Sequence, residues 1–242
     1  MWTSRAAWGL QKMTNESAAR TRYFDQFLLD ATGASVRQAV ILAMGLDARG
    51  YRLPWPTDMT VFEIDQPPVL EFKTDTLAGL GAEPTADLRM VPTDLRQDWP
   101  GALRRAGFEA RRPTAWIAEG LFGYLSGNVQ DRLLDSITYL SATDSRLAVE
   151  TFVGAADRDS GRVKQIIRTA TEGWRDHGFD LDIWSLIYSG ARSDVAAYLD
   201  RHGWHSVGTT SSQLLADNEL PATPAIHDGS TEQPTYIVSV LA

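Results

Sequence analysis

The sequence predicts an α/β fold in which helices cover a mostly parallel β-sheet. Short runs rich in Val, Ile and aromatic residues alternate with amphipathic stretches, as expected of a sheet buried on both faces. The run at 38–43 leads into a glycine turn at Gly45, and the next run, at 60–64, ends at Asp65. Together these features are the layout of a nucleoside-binding α/β domain.

Gly45 and Asp65 form the most informative pair, twenty positions apart. A glycine between strand and helix lets the backbone approach a ligand closely, and a carboxylate at the tip of the neighbouring strand accepts hydrogen bonds from two ribose hydroxyls. The pair therefore predicts an adenosine ligand. It leaves open whether a nicotinamide dinucleotide or S-adenosyl-L-methionine carries the adenosine.

The turn itself favours S-adenosyl-L-methionine. A pyrophosphate site uses three glycines in the pattern G-x-G-x-x-G, whereas this turn reads AMGLD at 43–47, with one glycine and an acid. Asp47 would repel a diphosphate, but a sulfonium and an ammonium tolerate or favour a carboxylate.

The other elements follow in order. They are a helix at 67–80, a strand at 88–91 before Asp94, a strand at 114–118 before Glu119, a helix capped by Ser126 or Asn128 and ending near 140, and a strand at 146–152. Two β-prone runs, at 204–209 and 235–241, then predict an antiparallel hairpin at the sheet edge. That ending is typical of a class I methyltransferase, a Rossmann-like, mostly parallel seven-stranded sheet with an antiparallel C-terminal hairpin.

Composition narrows the function further. The length of 242 residues predicts one domain, with a helical segment at 1–36 contributing to the cofactor site and a cofactor-binding domain at 37–242. A net charge of −8 speaks against nucleic acid as a partner. There is no cysteine and no apolar run of about 18 residues, which predicts a cytoplasmic protein without a membrane partner. Four isolated histidines give no metal-ligand spacing, so no metal is expected.

Five ordered motifs resemble the leucine carboxyl methyltransferase-like family, in its bacterial branch of class I S-adenosyl-L-methionine-dependent methyltransferases. The motifs are RTRYFD at 20–25, VILAMGLDARGYRLPWP at 40–56, VFEIDQP at 61–67, VPTDLRQDWP at 91–100 and AWIAEGLFGYL at 115–125.

The resemblance implies a set of cofactor-binding residues. Asp65 would bind the ribose hydroxyls, Asp94 and Leu95 would bracket the adenine, and Gly45 would line the methionine portion. Glu119 would hold the amino group, and either Arg22 or Arg20 would pair with the carboxylate, because a guanidinium forms strong charge-assisted bonds. Tyr124 is the residue expected nearest the methyl acceptor.

The resulting hypothesis is a methyltransferase that modifies a hydroxyl or carboxylate oxygen of a small molecule. A second hypothesis is a shortened, catalytically silent member that binds the cofactor or serves as an interaction module. The reasons for this second hypothesis are Met44 in the turn and the short segment before the first motif. Phe122 and Gly123, where the family has larger aliphatic residues, are expected to widen the acceptor pocket. A nicotinamide oxidoreductase is the third alternative.

Overall fold

A computed structural model of the chain describes residues 4–152, 186–188, 190–221 and 234–242. The described residues form a sheet of seven strands. In chain order these are β1 Gln38–Leu42, β2 Thr60–Asp65, β3 Asp87–Pro92, β4 Ala115–Ala118, β5 Arg146–Phe152, β6 Trp204–Thr210 and β7 Pro234–Leu241. All five runs predicted in the first part of the chain and both runs of the tail are strands.

The strands lie in the order β3-β2-β1-β4-β5-β7-β6. The first five strands pair in parallel, with Ala39 of β1 between Val61 of β2 and Ala115 of β4. β7 runs antiparallel to both β5 and β6, so it forms the predicted C-terminal hairpin with β6 at the edge. The predicted class I methyltransferase topology is confirmed.

Helices follow most strands. They are α1 Ser4–Gly33, α2 Arg49–Arg52, α3 Pro67–Gly79, α4 Trp99–Arg105, α5 Gly127–Leu140, α6 Val195–Asp200 and α7 Ser211–Asp217, with a 3₁₀ helix at Phe122–Tyr124. Ser126 is the residue before α5, but its hydroxyl donates to the side chain of Asn128 and does not cap a backbone amide. In the part of the chain that the structure describes, no helix is long and apolar enough to span a membrane.

Two apolar cores lie on the two faces of the sheet. Alternate residues of one strand enter different cores, so Val40 of β1 faces α4, α5 and α6, while Ile41 faces α1, α3 and α7. Phe62 and Trp116 fill the first core, and Phe24 and Leu28 of α1 fill the second. Because helix α1 buries apolar side chains against the sheet, it brings its polar residues to the sheet's carboxyl edge.

Candidate cofactor site at the carboxyl ends of the strands

The order of the strands reverses between β1 and β4, and ligands of open α/β sheets bind at such a point. A cavity of about 400 Å³ lies there. Its walls come from α1, from the end of β1, from the turn that follows and from the tip of β4. The lining residues are Arg20, Thr21, Ile41, Leu42, Ala43, Met44, Leu46, Asp47, Ala48, Arg49, Arg52 and Glu119.

The glycine turn is hydrogen-bonded to the tip of β2, in agreement with the spacing of Gly45 and Asp65. The amide of Gly45 donates a hydrogen bond of 2.8 Å to Oδ2 of Asp65, and the amide of Gln66 donates one of 2.7 Å to Oδ1. Gly45 has φ +55°, and a Cβ at this position would meet no atom within 4 Å. The space in front of the turn is therefore open, and glycine adopts this backbone conformation without the steric cost of a side chain.

Met44 forms part of the wall of the cavity. Its side chain is 6% exposed and belongs to the core that contains Ile41. Its sulfur lies 3.6 Å from Nζ of Lys73, which is itself buried. The preceding Ala43 takes up a left-handed conformation, with φ +48°, which costs a non-glycine residue about 1–2 kcal/mol.

Asp94 follows the end of β3 and is held by a local contact. Nε of Arg96 donates to Oδ1 of Asp94 at 2.9 Å, and the backbone amide of Arg96 donates to the same oxygen at 2.8 Å. These hydrogen bonds lower the pKa of Asp94 to about 2. Leu95 packs against the apolar core. The amide of Thr93 donates to the carbonyl of Asp65 at 2.9 Å, which holds the ends of β2 and β3 together.

Glu119, at the tip of β4, contacts an arginine of α1. Nε of Arg20 donates to Oε1 of Glu119 at 2.6 Å, and Nη1 of Arg20 lies 3.4 Å from Oε2 of Glu150, near the end of β5. The amide of Gly120 also donates to Oε2 of Glu150, at 3.0 Å. One guanidinium is thus shared by carboxylates on two adjacent strands.

The two arginines of the RTRYFD motif differ in position. Arg20 lines the cavity, whereas Arg22 is exposed and is not among the residues that line it. Tyr124 lies in the 3₁₀ helix after β4, is 49% exposed and also lies outside the cavity wall. Of the predicted site residues, Arg20 and Glu119 line the cavity, whereas Gly45 and Asp65 contact each other at the neighbouring strand tips and are not among its lining residues.

Arg49 is a central residue of the site that the sequence analysis missed. Its side chain is 5% exposed, and its Nε donates to Oδ1 of Asp25 at 2.7 Å. Its Nη1 donates to Oε2 of Glu119 at 2.8 Å and also contacts Asp47. Burial alone would lower the pKa of Arg49, but the carboxylates of Asp47, Glu119 and Asp25 raise it above its ordinary value. The guanidinium is therefore a fixed positive charge.

These contacts form one connected set of charges, which we call the charge network. Arg52 completes it through a hydrogen bond of 2.6 Å from Nη1 to Oδ2 of Asp25. The members are Arg20, Arg49, Arg52, Asp25, Asp47, Glu119 and Glu150. Four carboxylates and three guanidinium groups give the network one net negative charge. Among the described residues, no group of three or more acidic or histidine side chains could hold a metal ion, and His177 and His227 lie outside those residues.

The strand order and the acidic strand tips define a class I methyltransferase. Two solved structures share the fold: a "putative methyltransferase" of Thermobifida fusca and a DUF574 family protein of Streptomyces avermitilis. The first has a TM-score of 0.58 at 20% identity and covers 95% of this chain and 81% of that one. The second has a TM-score of 0.58 at 13% identity and covers 99% and 87%. At these identities the likeness shows the fold alone.

Sequence comparison identifies the family. The model of leucine carboxyl methyltransferase matches residues 2–138, more than half of the chain. A Mycobacterium tuberculosis protein named "Putative S-adenosyl-L-methionine-dependent methyltransferase" is 69% identical over 236 residues, which cover 98% of this chain and 77% of the relative. A protein of Mycobacterium ulcerans with the same name is 59% identical over 239 residues, covering 98% and 77%. The chain belongs to the leucine carboxyl methyltransferase family.

The predicted family is thereby confirmed, and with it the enzyme class and the cofactor. The chain is an S-adenosyl-L-methionine-dependent methyltransferase. The comparisons do not favour the silent member, and they set aside the nicotinamide oxidoreductase.

Proposed function

We propose that this methyltransferase modifies an oxygen atom, a hydroxyl or a carboxylate, of a small molecule. The observation that carries the proposal is the cavity of about 400 Å³ with three guanidinium groups in its wall, those of Arg20, Arg49 and Arg52. Its volume is in the range of small-molecule sites, about 300–1,000 Å³. Oxygen acceptors accept hydrogen bonds from guanidinium groups, whereas a protonated amine has no free lone pair for the reaction.

The side chains at the strand tips fit the cofactor. S-adenosyl-L-methionine supplies an electrophilic methyl group on a sulfonium sulfur. We assign Asp65 to the ribose hydroxyls, because its carboxylate is only half-buried and accepts from the amide of Gly45, whose missing side chain leaves open space. We assign the adenine to the end of β3, where Asp94 and Leu95 follow the strand. The methionine portion would lie along Gly45, with its amino group on Glu119, which remains 16% exposed.

Of the two candidate arginines, we assign the cofactor carboxylate to Arg20. Its guanidinium lines the cavity and remains 37% exposed although it contacts Glu119 and Glu150. A guanidinium has five N–H donors, so two carboxylate partners leave further donors for a third. This assignment supports a role for the helical segment at 1–36 in the cofactor site, since Arg20 and Thr21 of α1 line the same cavity.

The chemical demand on the protein differs between the two acceptor types. A carboxylate is ionised at neutral pH and needs no base, whereas a hydroxyl loses a proton as its oxygen gains the methyl group. The protein's main contribution is to hold the acceptor in position and to exclude water. We place Tyr124 beside the acceptor because it lies on the loop that leaves the tip of β4, five positions after Glu119.

Transfer of a radiolabelled methyl group tests the proposal. The purified chain is incubated with labelled cofactor and three matched series of aromatic acceptors: phenols, benzoic acids and benzylamines. We expect label in a phenol or an acid. Mild base releases the label from an ester but not from an ether, which separates the two oxygen types. Label confined to the amines would contradict the proposal. Cofactor binding without transfer to any series would favour the silent member.

A further inference from the structure

The carboxylate of Glu150 belongs to the charge network, and the assignments above give it no role. It is near the carboxyl end of β5, and the residue is 6% exposed. Its Oε2 receives the amide of Gly120 at 3.0 Å and lies 3.4 Å from Nη1 of Arg20. The same guanidinium donates to Glu119 at 2.6 Å, so two carboxylates share one positive charge.

Among the residues that the structure describes, this arrangement leaves a negative charge without a balancing partner. The other network members do not compensate for it, because Arg49 and Arg52 are engaged by Asp25, Asp47 and Glu119. An uncompensated charge away from bulk water is costly. A cation that enters the cavity offsets that cost.

The cofactor and its product differ by one such charge. S-adenosyl-L-methionine has a sulfonium, an ammonium and a carboxylate, and it carries a net charge of about +1 at neutral pH, whereas S-adenosylhomocysteine has a neutral thioether and a net charge near zero. Both molecules share the ammonium and the carboxylate. Interactions with these two groups cancel when the affinities of the two molecules are compared.

We infer that Glu150 is a specificity-determining residue that makes the site prefer the charged cofactor over its neutral product. The inference rests on the assigned position of the cofactor, with its adenosine towards β2 and β3 and its amino group at Glu119 on β4. β5 pairs with β4 on the side away from β1, so Glu150 lies beyond the methionine end of the ligand. Adjacent strands are about 4.8 Å apart, which keeps its charge within Coulombic range of the sulfonium.

The consequence for the enzyme concerns product release. Once the methyl group has left, the positive charge on sulfur is gone, and the attraction to Glu150 disappears with it. The side chain therefore favours exchange of the neutral product for a new, charged cofactor molecule.

The variant Glu150→Gln tests the inference. Its amide oxygen can still accept from the Gly120 amide, so the substitution removes the charge and preserves the length of the side chain. The control is Glu109→Gln, the same change at a side chain that is 61% exposed on the surface. Affinities for S-adenosyl-L-methionine and S-adenosylhomocysteine are measured by calorimetric titration at pH 7.5, in low salt and in 0.5 M salt, with the thermal midpoint as the check on folding.

In low salt we expect the affinity ratio of cofactor to product to fall about fivefold in Glu150→Gln and to stay constant in Glu109→Gln. The effect should shrink in high salt. If the affinities for both ligands fell equally, Glu150 would act through packing or through the ammonium and carboxylate that the two ligands share. If neither affinity changed, the charge of Glu150 would not interact with the sulfonium. Either result overturns the inference.

A second variant covers the case in which Glu150→Gln does not fold. Arg20→Gln removes the shared guanidinium and makes the network more negative, so the ratio should rise even though both ligands lose their carboxylate partner. A constant or lower ratio contradicts the inference. A wild-type protein that binds neither ligand would refute the cofactor site itself, and an intact ratio effect without any oxygen methylation would refute only the proposed acceptor.

Discussion

The ion pair of Glu63 and Lys73 beneath the cofactor turn gives the sharpest prediction for stability. Glu63 of β2 is fully buried, and Lys73 of α3 is 2% exposed. Nζ of Lys73 contacts Oε2 of Glu63 and lies 3.6 Å from the sulfur of Met44. Oε1 of Glu63 has no hydrogen-bond partner among the described residues. Burial raises the pKa of Glu63, although the charge of Lys73 acts in the opposite direction.

Lys73→Met removes the positive charge and preserves most of the side-chain volume. It leaves a buried carboxylate without its partner, and breaking a buried pair in this way costs about 3–5 kcal/mol. For a domain of this size about 1 kcal/mol corresponds to about 2–4 °C, so the thermal midpoint should fall by roughly 6–20 °C. The double variant Glu63→Met with Lys73→Met should recover most of the loss, because an apolar pair of similar volume is often neutral or stabilising.

Urea unfolding followed by circular dichroism gives the free energy of unfolding for each variant. Arg112→Met is the matched control, since the ion pair of Arg112 and Glu109 is exposed and such pairs contribute about 0–1 kcal/mol. A Lys73→Met protein within 1 kcal/mol of the wild type would refute the reasoning. So would a double variant that is as unstable as the single one.

Three further predictions concern the site. Asp65→Ala should weaken cofactor binding at least about tenfold, because a charged acceptor facing two hydroxyls is worth roughly 1.5–3 kcal/mol; unchanged affinity by calorimetry, with Asp58→Ala as control, would contradict the ribose assignment. The ratio of cofactor to product affinity should fall as the pH is lowered from 8 to 5, because Glu150 loses its charge. Burial and Glu119 raise the pKa of Glu150, and Arg20 and the Gly120 amide oppose this rise. An equal fall in Glu150→Gln would exclude this cause. Burial alone would raise the pKa of Asp25, but hydrogen bonds from Arg52 and Arg49 lower it overall. The stabilisation by Asp25 is therefore present above the unfolded pKa of about 3.9 and is lost as the pH falls through the lower folded value. Free energies of unfolding in urea, measured for wild type and Asp25→Asn at decreasing pH, should converge there.

The strands were predictable because each carries its own local signal. All five residues of β1 are buried, so the strand reads as a short, mostly apolar run, as strands covered on both faces do. Asp65 ends β2 and Glu119 follows β4, so the acids at the strand tips could also be read from the sequence. The buried ion pair in β2 could not be read from the sequence in this way, because Glu63 lies in the middle of the run and its partner is a lysine ten positions later.

The charge network could not be read in the same way. Arg49 reaches Asp25 across 24 positions and Glu119 across 70, and Arg20 reaches Glu119 across 99. No local pattern encodes such contacts, since each depends on which strand tips the topology brings together. Helical periodicity, however, could have decided between the two arginines. Arg20 lies four positions before the buried Phe24, on nearly the same face of α1, whereas Arg22 lies two before it, on the opposite face.

Helix α1 is joined to the site at two points, and these points explain why the segment before β1 matters for a site built on strand tips. Arg20 binds the carboxylates at the ends of β4 and β5, and Asp25, five residues later, binds Arg49 and Arg52 of α2. The apolar face of the same helix packs Phe24 and Leu28 into the core. Displacing α1 would therefore expose apolar surface and remove partners from Glu119 and Arg49 together. The docking of α1 and the geometry of the cavity consequently depend on the same contacts, although α1 lies outside the strand-and-turn pattern from which the site was first inferred.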